Sequence, residues 1–162
     1  MKVQKRRRRE NKTDYLKRLK MLKSEKPRLV FRKTNKYFTI QYVISDEAHD
    51  KTIFGISSKD LLKTGWDEKA KGSLKSVTAA YLTGYFVGKK IIKDNLETPI
   101  VDFGMIRVLH KTKVFGFLKG LIESGVKIES KEEAFPEEER LNGESLKNKI
   151  DVKKIKLNID KI

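Results

Sequence analysis

The fold of this chain is decided by the stretch Lys26-Pro27-Arg28-Leu29-Val30-Phe31-Arg32-Lys33-Thr34-Asn35-Lys36-Tyr37-Phe38-Thr39-Ile40-Gln41-Tyr42-Val43-Ile44. Side chains alternate between two faces over residues 28–33 and again over residues 37–44, which is the period of a β-strand. The connection over residues 34–36 is short and polar. The stretch therefore predicts an antiparallel hairpin, and Pro27 separates it from whatever precedes it.

Periodicity and turn signals divide the rest of the chain into further elements. The predicted elements are a helix from Thr13 or Asp14 to about Ser24, the hairpin, a third strand over 51–57, a brief helical turn over 58–62, a long helix over 74–94, a buried strand over 100–104, and a helix over 114–124 that ends at Gly125. A strand–helix–strand order at the centre favours an α/β fold with mixed strand pairing. We therefore predict one domain with a mixed sheet packed by helices.

This domain is flanked by two segments of different composition. We expect a basic arm and helix over residues 1–27, the α/β core over residues 28–128, and an acidic segment and tail over residues 129–162. The helix carries an apolar stripe that we expect to pack against the domain; its members are Tyr15, Leu16, Leu19 and Leu22. A short helix is predicted within the acidic segment, whereas the structure after Asp151 stays open.

Charge is distributed very unevenly along the 162 residues. The formal net charge is +16, and residues 1–36 hold 16 Lys or Arg against 3 Asp or Glu. Such an excess points to a polyanionic partner, either nucleic acid or an anionic membrane. The run Lys5-Arg6-Arg7-Arg8-Arg9 is self-repelling, so we expect residues 1–12 to be disordered or extended until they meet that partner.

Composition also excludes several classes of site. The chain has no cysteine, so disulfides, thiolate metal sites and cysteine nucleophiles are excluded. No apolar run approaches the ~20 residues of a membrane span, and no apolar segment follows the basic N-terminus as in a secretory signal. These observations predict a soluble intracellular protein.

Residue patterns for catalysis are weak. Gly84-Tyr85-Phe86-Val87-Gly88-Lys89 lacks the spacing and the Ser/Thr of a phosphate loop, so we interpret its glycines as a close-packing surface on a helix. His49 and His110 are the two histidines, too few for a zinc site, and we expect them in exposed loops. Asp102 is a lone carboxylate without a partner acid or base, which favours a capping role. We therefore predict no catalytic residue, metal or other cofactor.

The glutamates of the acidic segment could be interpreted as a metal-binding cluster, but we reject that interpretation. These glutamates are typical of a solvated helix face, which would also repel RNA. They are Glu132, Glu133, Glu137, Glu138 and Glu139.

The basic segments form the candidate site. Cations fix phosphates, tyrosine can stack on bases and asparagine can read base edges, so this mixture is typical of a nucleic-acid interface, although composition alone does not choose between RNA and DNA. The candidate binding residues are Lys5, Arg6, Arg7, Arg8, Arg9, Asn11, Lys12, Tyr15, Arg18, Arg28, Arg32, Lys33, Thr34, Asn35 and Lys36, with Lys111 and Lys113 as a second, weaker contact.

The order of several motifs resembles a known family over about residues 5–145. The motifs are Arg6-Arg7-Arg8-Arg9-Glu10-Asn11-Lys12-Thr13-Asp14-Tyr15, Lys26-Pro27-Arg28-Leu29-Val30-Phe31-Arg32-Lys33-Thr34-Asn35-Lys36, Ala79-Ala80-Tyr81-Leu82-Thr83-Gly84, Asp102-Phe103-Gly104, and Phe135-Pro136-Glu137-Glu138-Glu139-Arg140. Together they are similar to the archaeal and eukaryotic branch of large-subunit ribosomal protein eighteen.

This resemblance implies a function. It implies an α/β domain beside 5S rRNA in the central protuberance of the large ribosomal subunit, with the basic N-terminal segment threaded along that RNA. It also implies no enzymatic activity and a cytoplasmic, ribosomal location. The implied partners are 5S rRNA, large-subunit rRNA and neighbouring large-subunit ribosomal proteins, without a membrane or a small-molecule substrate.

Two rival hypotheses use the same residues differently. A metal-dependent RNA-processing enzyme on a similar sheet would need clustered carboxylates, of which only Asp102 is well placed. A peripheral membrane protein would use the basic helix as an anchor, but the sequence offers no second anchor signal.

Overall fold

The computed structural model describes residues 3–46, 49–144, 146 and 148–161. Its helices and strands in chain order are α1 (Arg6–Arg9), α2 (Tyr15–Leu22), β1 (Arg28–Lys33), β2 (Phe38–Asp46), β3 (His49–Ser57), α3 (Val77–Lys93), β4 (Ile100–Asp102), α4 (Lys113–Glu123), α5 (Glu138–Leu141) and α6 (Val152–Asp160). Short 3-10 turns lie at Ser58–Thr64, Glu68–Ser73 and Glu132–Ala134. None of the helices in these described ranges is long and apolar enough to cross a membrane.

The four strands form one mixed sheet in the order β3-β2-β1-β4. β1 and β2 pair antiparallel with Phe31 opposite Ile40, as the hairpin pattern predicts. β4 returns beside β1 in the parallel direction, with Leu29 opposite Val101. The α3 crossover makes this pairing possible, because a parallel neighbour needs a long connection. The predicted mixed α/β fold is confirmed.

The core lies on the face of the sheet that receives Leu29, Phe31 and Ile40. The ring of Phe31 lies 5.2 Å from that of Phe38 and 4.8 Å from that of Phe117 on α4, measured between centroids. Leu29 and Ile40 are fully buried beside them. Burial of these side chains provides the main driving force for folding, at roughly 25 cal/mol for each Å² of apolar surface removed from water.

Glycines allow α3 and α4 to approach closely. A Cβ added at Gly84 would lie 2.2 Å from the carbonyl oxygen of Phe117, and one added at Gly120 would lie 2.1 Å from that of Tyr81. Any larger side chain would therefore separate the two helices. The interpretation of Gly84 and Gly88 as a packing surface is confirmed, since Gly88 faces Ser124 in the same way.

The segment after residue 128 also contributes to this core. α6 is capped by Asp151, which accepts a hydrogen bond from the Lys154 amide at 3.1 Å. Its Ile155 and Ile159 side chains are 1% and 2% exposed and belong to the same apolar cluster as the sheet. The alternation of Lys with apolar residues, which left this stretch open in the sequence, is the pattern of one buried helix face.

The N-terminal segment differs from the sequence-based expectation. Residues 1–12 were predicted to be disordered or extended, whereas Arg6–Arg9 form a helical turn. The carbonyl of Arg7 accepts from the amides of Lys12 and Thr13, and Glu10 pairs with the cations on either side of it. These contacts offset the repulsion among the arginines within a single turn.

Helix α2 confirms one prediction and contradicts another. Asp14 is its N-cap, as predicted, and accepts from the amides of Leu16 and Lys17 at 3.1 and 3.2 Å. The predicted packing of its apolar stripe is wrong, because Leu16 and Leu19 are 75% and 51% exposed and the helix has no buried residue. An ion pair between Arg18 and Asp50, described next, attaches α2 to the domain.

Candidate nucleic-acid interface

Asp50 joins α2 to the hairpin. One carboxylate oxygen accepts from Arg18 on α2 at 2.9 Å, and the other accepts from Arg28 on β1 at 2.7 Å and from the Ser45 hydroxyl at 2.8 Å. Burial alone would raise the pKa of Asp50, but the hydrogen bonds from Ser45 and Arg28 outweigh burial and the pKa is lowered. The ionised carboxylate therefore fixes two arginines at once.

This arrangement corrects the role of one predicted binding residue. Arg28 is only 3% exposed, and its guanidinium donates hydrogen bonds to Asp50 and Ser45. The side chain lines a small depression beside Lys17 and Met21, but so little of its surface is exposed that it offers no direct contact to an external phosphate. Arg18 keeps 44% of its side chain exposed and can contact a ligand while it is held.

Asp102 holds Arg32 in a similar way. Arg32 donates to the Asp102 carboxylate at 2.8 Å and to the carbonyls of Phe31 and Asp102 at 2.9 Å. Burial would raise the pKa of Asp102, but the hydrogen bonds from Arg32 and from the Gly104 amide lower it. The predicted capping role of Asp102 is confirmed, and this turn ends β4 at residue 102 instead of 104.

Arg8 fixes α1 against the loop that follows β4. Its guanidinium lies 3.4 Å from the Asp14 carboxylate and 3.3 Å from the Met105 sulfur. Arg7 also contacts its own segment, donating to the Thr13 hydroxyl at 2.9 Å. The N-terminal turn is thereby held beside Met105 in the loop that follows β4.

The result is an open cleft of about 400 Å³, which we call the N-terminal cleft. Its lining residues are Arg7, Asn11, Lys12, Arg32, Lys33, Phe103, Met105 and Ile106. Four of the predicted cations and one predicted asparagine therefore converge from α1, the segment after it, and β1. The apolar floor between them would allow a base or a sugar to lie against the surface while the rim holds phosphates.

The remaining N-terminal candidates lie around this cleft with different partners. The ammonium of Lys5 lies over the ring of Tyr15, 4.5 Å from its centroid, so one face of that ring is covered. Arg6 and Lys12 share Glu10 at 3.7 and 2.8 Å. In the described part of the chain, Arg9 is exposed and has no ion pair.

Of the three predicted binding residues in the hairpin turn, Thr34 has a structural role, whereas Asn35 and Lys36 are exposed. The Thr34 hydroxyl donates to the carbonyl of Tyr37 and accepts from its amide, at 2.8 and 3.1 Å, so it stabilises the turn. The Asn35 carbonyl accepts from Lys75 at 3.1 Å, which brings a cation that the sequence interpretation omitted to this end of the hairpin.

The second predicted contact, at Lys111 and Lys113, lies next to the N-terminal cleft. Lys33 and Ile106 also line a neighbouring cleft together with Lys111 and Lys113. Lys111 is paired with Glu137 at 3.0 Å, which lowers the pKa of that carboxyl. The structure therefore connects two contacts that are about 75 residues apart in the chain, through the end of β1.

Sequence reasoning missed several cations of this face. Lys17 lines the small depression beside α2 and β1 and is absent from the candidate binding residues. Lys75, Arg107 and Arg140 come from separate loops and from α5, and no local pattern groups them. The two histidines are exposed, as predicted, although His49 lies in β3 and not in a loop. Over the residues described, no three His, Asp or Glu side chains are placed to hold a metal ion.

Comparisons with known proteins show the family to which the chain is related. Residues 1–99 match the family described as ribosomal large subunit proteins 60S L5 and 50S L18. The chain is also 39% identical over 145 residues to the large ribosomal subunit protein uL18 of Korarchaeum cryptofilum (strain OPF8), covering 90% of this chain and 72% of that protein. The first match includes α1, α2, the hairpin and α3, and so most of the candidate interface.

Proposed function

Because the chain belongs to the family of ribosomal large subunit proteins 60S L5 and 50S L18, we propose that its basic face binds ribosomal RNA, with 5S rRNA as the principal ligand. The chain is a structural component of the large ribosomal subunit. In the proposal it helps to attach 5S rRNA in the central protuberance and also contacts large-subunit rRNA and neighbouring ribosomal proteins.

The observation that carries this proposal is the convergence of Arg7, Lys12, Arg32 and Lys33 on one open cleft. Cations that lie close together on a protein surface repel one another even where a carboxylate holds one of them, and a phosphate backbone relieves that repulsion. Each neutralised phosphate releases condensed counterions, which supplies affinity that falls as salt rises. The cleft is open, so an extended RNA backbone can follow it.

Three carboxylates next to the interface hold its arginines in fixed positions. Asp14, Asp50 and Asp102 each fix an arginine through a hydrogen-bonded ion pair. An arginine held in this way loses less side-chain entropy when it meets a phosphate, because its conformation is already restricted. The α1 turn is likewise preformed, so less ordering is needed than for a fully extended arm.

Four substitutions test the proposal. We expect R6Q/R7Q/R9Q/K12Q to weaken binding of transcribed 5S rRNA by at least about a hundredfold at roughly 0.15 M salt, and to reduce the slope of log K against log salt by about 3. The matched control is K127Q/K149Q/K153Q/K154Q, which removes four exposed cations outside the interface. Circular dichroism would verify folding of both. Equal affinity of the first variant and the control would contradict the proposal.

A further inference from the structure

Three lysines lie near one another where the hairpin turn approaches the starts of α3 and α4. Lys33 ends β1, Lys75 precedes α3 and Lys113 begins α4. In the described ranges none of the three has an ion pair, whereas the neighbouring Lys111 is neutralised by Glu137. Lys75 is also held in place by its hydrogen bond to the Asn35 carbonyl.

The cluster is electrostatically unfavourable in the free protein. Lys113 is half-buried, and burial lowers its pKa, as do the charges of Lys75 and Lys33. Both effects make the Lys113 ammonium less stable than that of an isolated lysine, and a nearby anion would oppose them. An anion placed among the three ammonium groups would offset the repulsion and compensate Lys113 for the hydration that it has lost.

A cleft of about 600 Å³ opens beside this cluster, and we call it the α4 cleft. Its volume is in the range of roughly 300–1,000 Å³ that is usual for small-ligand sites. Apolar and planar side chains line it; they include Ile106, Arg107, Leu109, His110 and Val114. It therefore combines a cationic rim with surfaces on which a flat, partly apolar group can rest.

The loop that forms one wall is rigidly supported. The Thr112 hydroxyl donates to the carbonyl of Leu109 at 2.6 Å, and the Lys111 amide donates to the carbonyl of Ala134 at 2.8 Å. The ring of His110 packs edge-on against Phe115 at 5.4 Å. Leu109 nevertheless leaves 46% of its surface exposed. A preformed wall with an exposed apolar side chain is suited to binding with little ordering cost.

We infer that the α4 cleft binds a single unpaired nucleotide of RNA, with its base against Leu109 and the planar side chains and its phosphate among Lys33, Lys75 and Lys113. Single-stranded RNA is recognised through such splayed-out bases, which stack on planar or apolar side chains. A duplex offers the same phosphates but no free base to fill the cleft. The inference rests on the proposed function because it assumes that the ligand is RNA. It adds that the recognised element is an unpaired nucleotide.

Photo-crosslinking tests the inference. The probe is a short single-stranded oligouridylate that carries 4-thiouridine, and cross-linked peptides are identified by mass spectrometry. We expect cross-links within residues 106–114, reduced at least about tenfold by K33Q/K75Q/K113Q because three phosphate-binding charges are lost. The control K127Q/K153Q/K154Q removes three exposed lysines elsewhere and should retain them. L109A, at an exposed position, should also reduce the cross-link without lowering the unfolding midpoint.

Several results would overturn the inference. They are cross-links confined to other parts of the chain, equal cross-linking by a duplex of the same length, or competition by polyglutamate as effective as competition by the oligouridylate. The affinity for 5S rRNA is measured on the same wild-type protein. Salt-dependent 5S binding without cross-links in residues 106–114 would refute only the α4 cleft, whereas cross-links there without 5S binding would refute only the choice of 5S rRNA.

Discussion

Arg28 on β1 donates to Asp50 at 2.7 Å, and only 3% of the arginine is exposed. A charge this deeply buried is tolerated because its counterion lies within hydrogen-bond distance. The Nε atom of Arg28 has no hydrogen-bond partner within the described structure, so the ion pair is its main compensation. The same carboxylate also holds Arg18, so this pair connects the core of the hairpin with the proposed interface.

We therefore expect D50N to lower the free energy of unfolding by about 1–3 kcal/mol. The range is below the roughly 3–5 kcal/mol for breaking a fully buried pair, because the Asp50 side chain is 34% exposed. Urea denaturation would measure the change. In a double-mutant cycle, R28M should cost less in the D50N background than in the wild type. Additive effects would show that the pair contributes no coupling energy.

Asp102 predicts a specific dependence of stability on pH. Its folded-state pKa is below the value of about 3.9 for an unfolded chain, so ionised Asp102 stabilises the fold above that value. The stabilisation is lost as pH falls from about 4 through the folded-state pKa. Between pH 7 and pH 2 we expect wild-type stability to decline more than that of D102N, measured by chemical denaturation. Parallel curves for both proteins would contradict this assignment.

The close contact between α3 and α4 predicts that an added methyl group at the contact destabilises the fold. G120A places a methyl group 2.1 Å from the Tyr81 carbonyl oxygen, so we expect a loss of roughly 1–3 kcal/mol or more from overpacking. G72A is the matched control, because nothing lies within 4 Å of the added Cβ. Thermal denaturation would compare the two variants. A similar midpoint for both would mean that the helices can separate at no cost.

Two positions in α6 test whether the C-terminal helix folds with the domain. Ile155 is 1% exposed and Leu157 is 62% exposed on the same helix. We expect I155A to cost about 2–5 kcal/mol and L157A to stay within about 0.5 kcal/mol of the wild type. Fluorescence of Trp66, which lies in the same core, and far-ultraviolet circular dichroism should report one coincident transition. Separate transitions would indicate an independent unit.

A group of three hydrogen-bonded side chains joins α6 to α3 and α4. Its members are Tyr81, Glu123 and Lys156. The Tyr81 hydroxyl donates to Glu123, and Lys156 donates to both. Burial raises the pKa of Tyr81, and the Glu123 carboxylate raises it further. The three residues come from three helices, and nothing in their local sequence patterns connects them.

The sequence by itself determined the elements whose signals are local. Alternation over residues 28–33 and 37–44 specifies the hairpin and its register, because a shift by one residue would turn Phe31 and Ile40 toward solvent. Asp14 as an N-cap, the small residues Gly84 and Gly88, and Asp102 as a loop cap were readable for the same reason: each acts on neighbours a few residues away.

Only the tertiary structure decided which charges are available to a partner. Arg28 and Arg32 lie in similar sequence surroundings. In the structure Arg28 is buried and pairs with Asp50, 22 residues away, whereas Arg32 lines a cleft. Lys75 and Lys113 become neighbours through the packing of α3 against α4. The hydration energy and the pairing of a charge depend on everything within several ångströms in space. The composition therefore predicted a polyanionic partner, whereas the set of residues that can meet it required the fold.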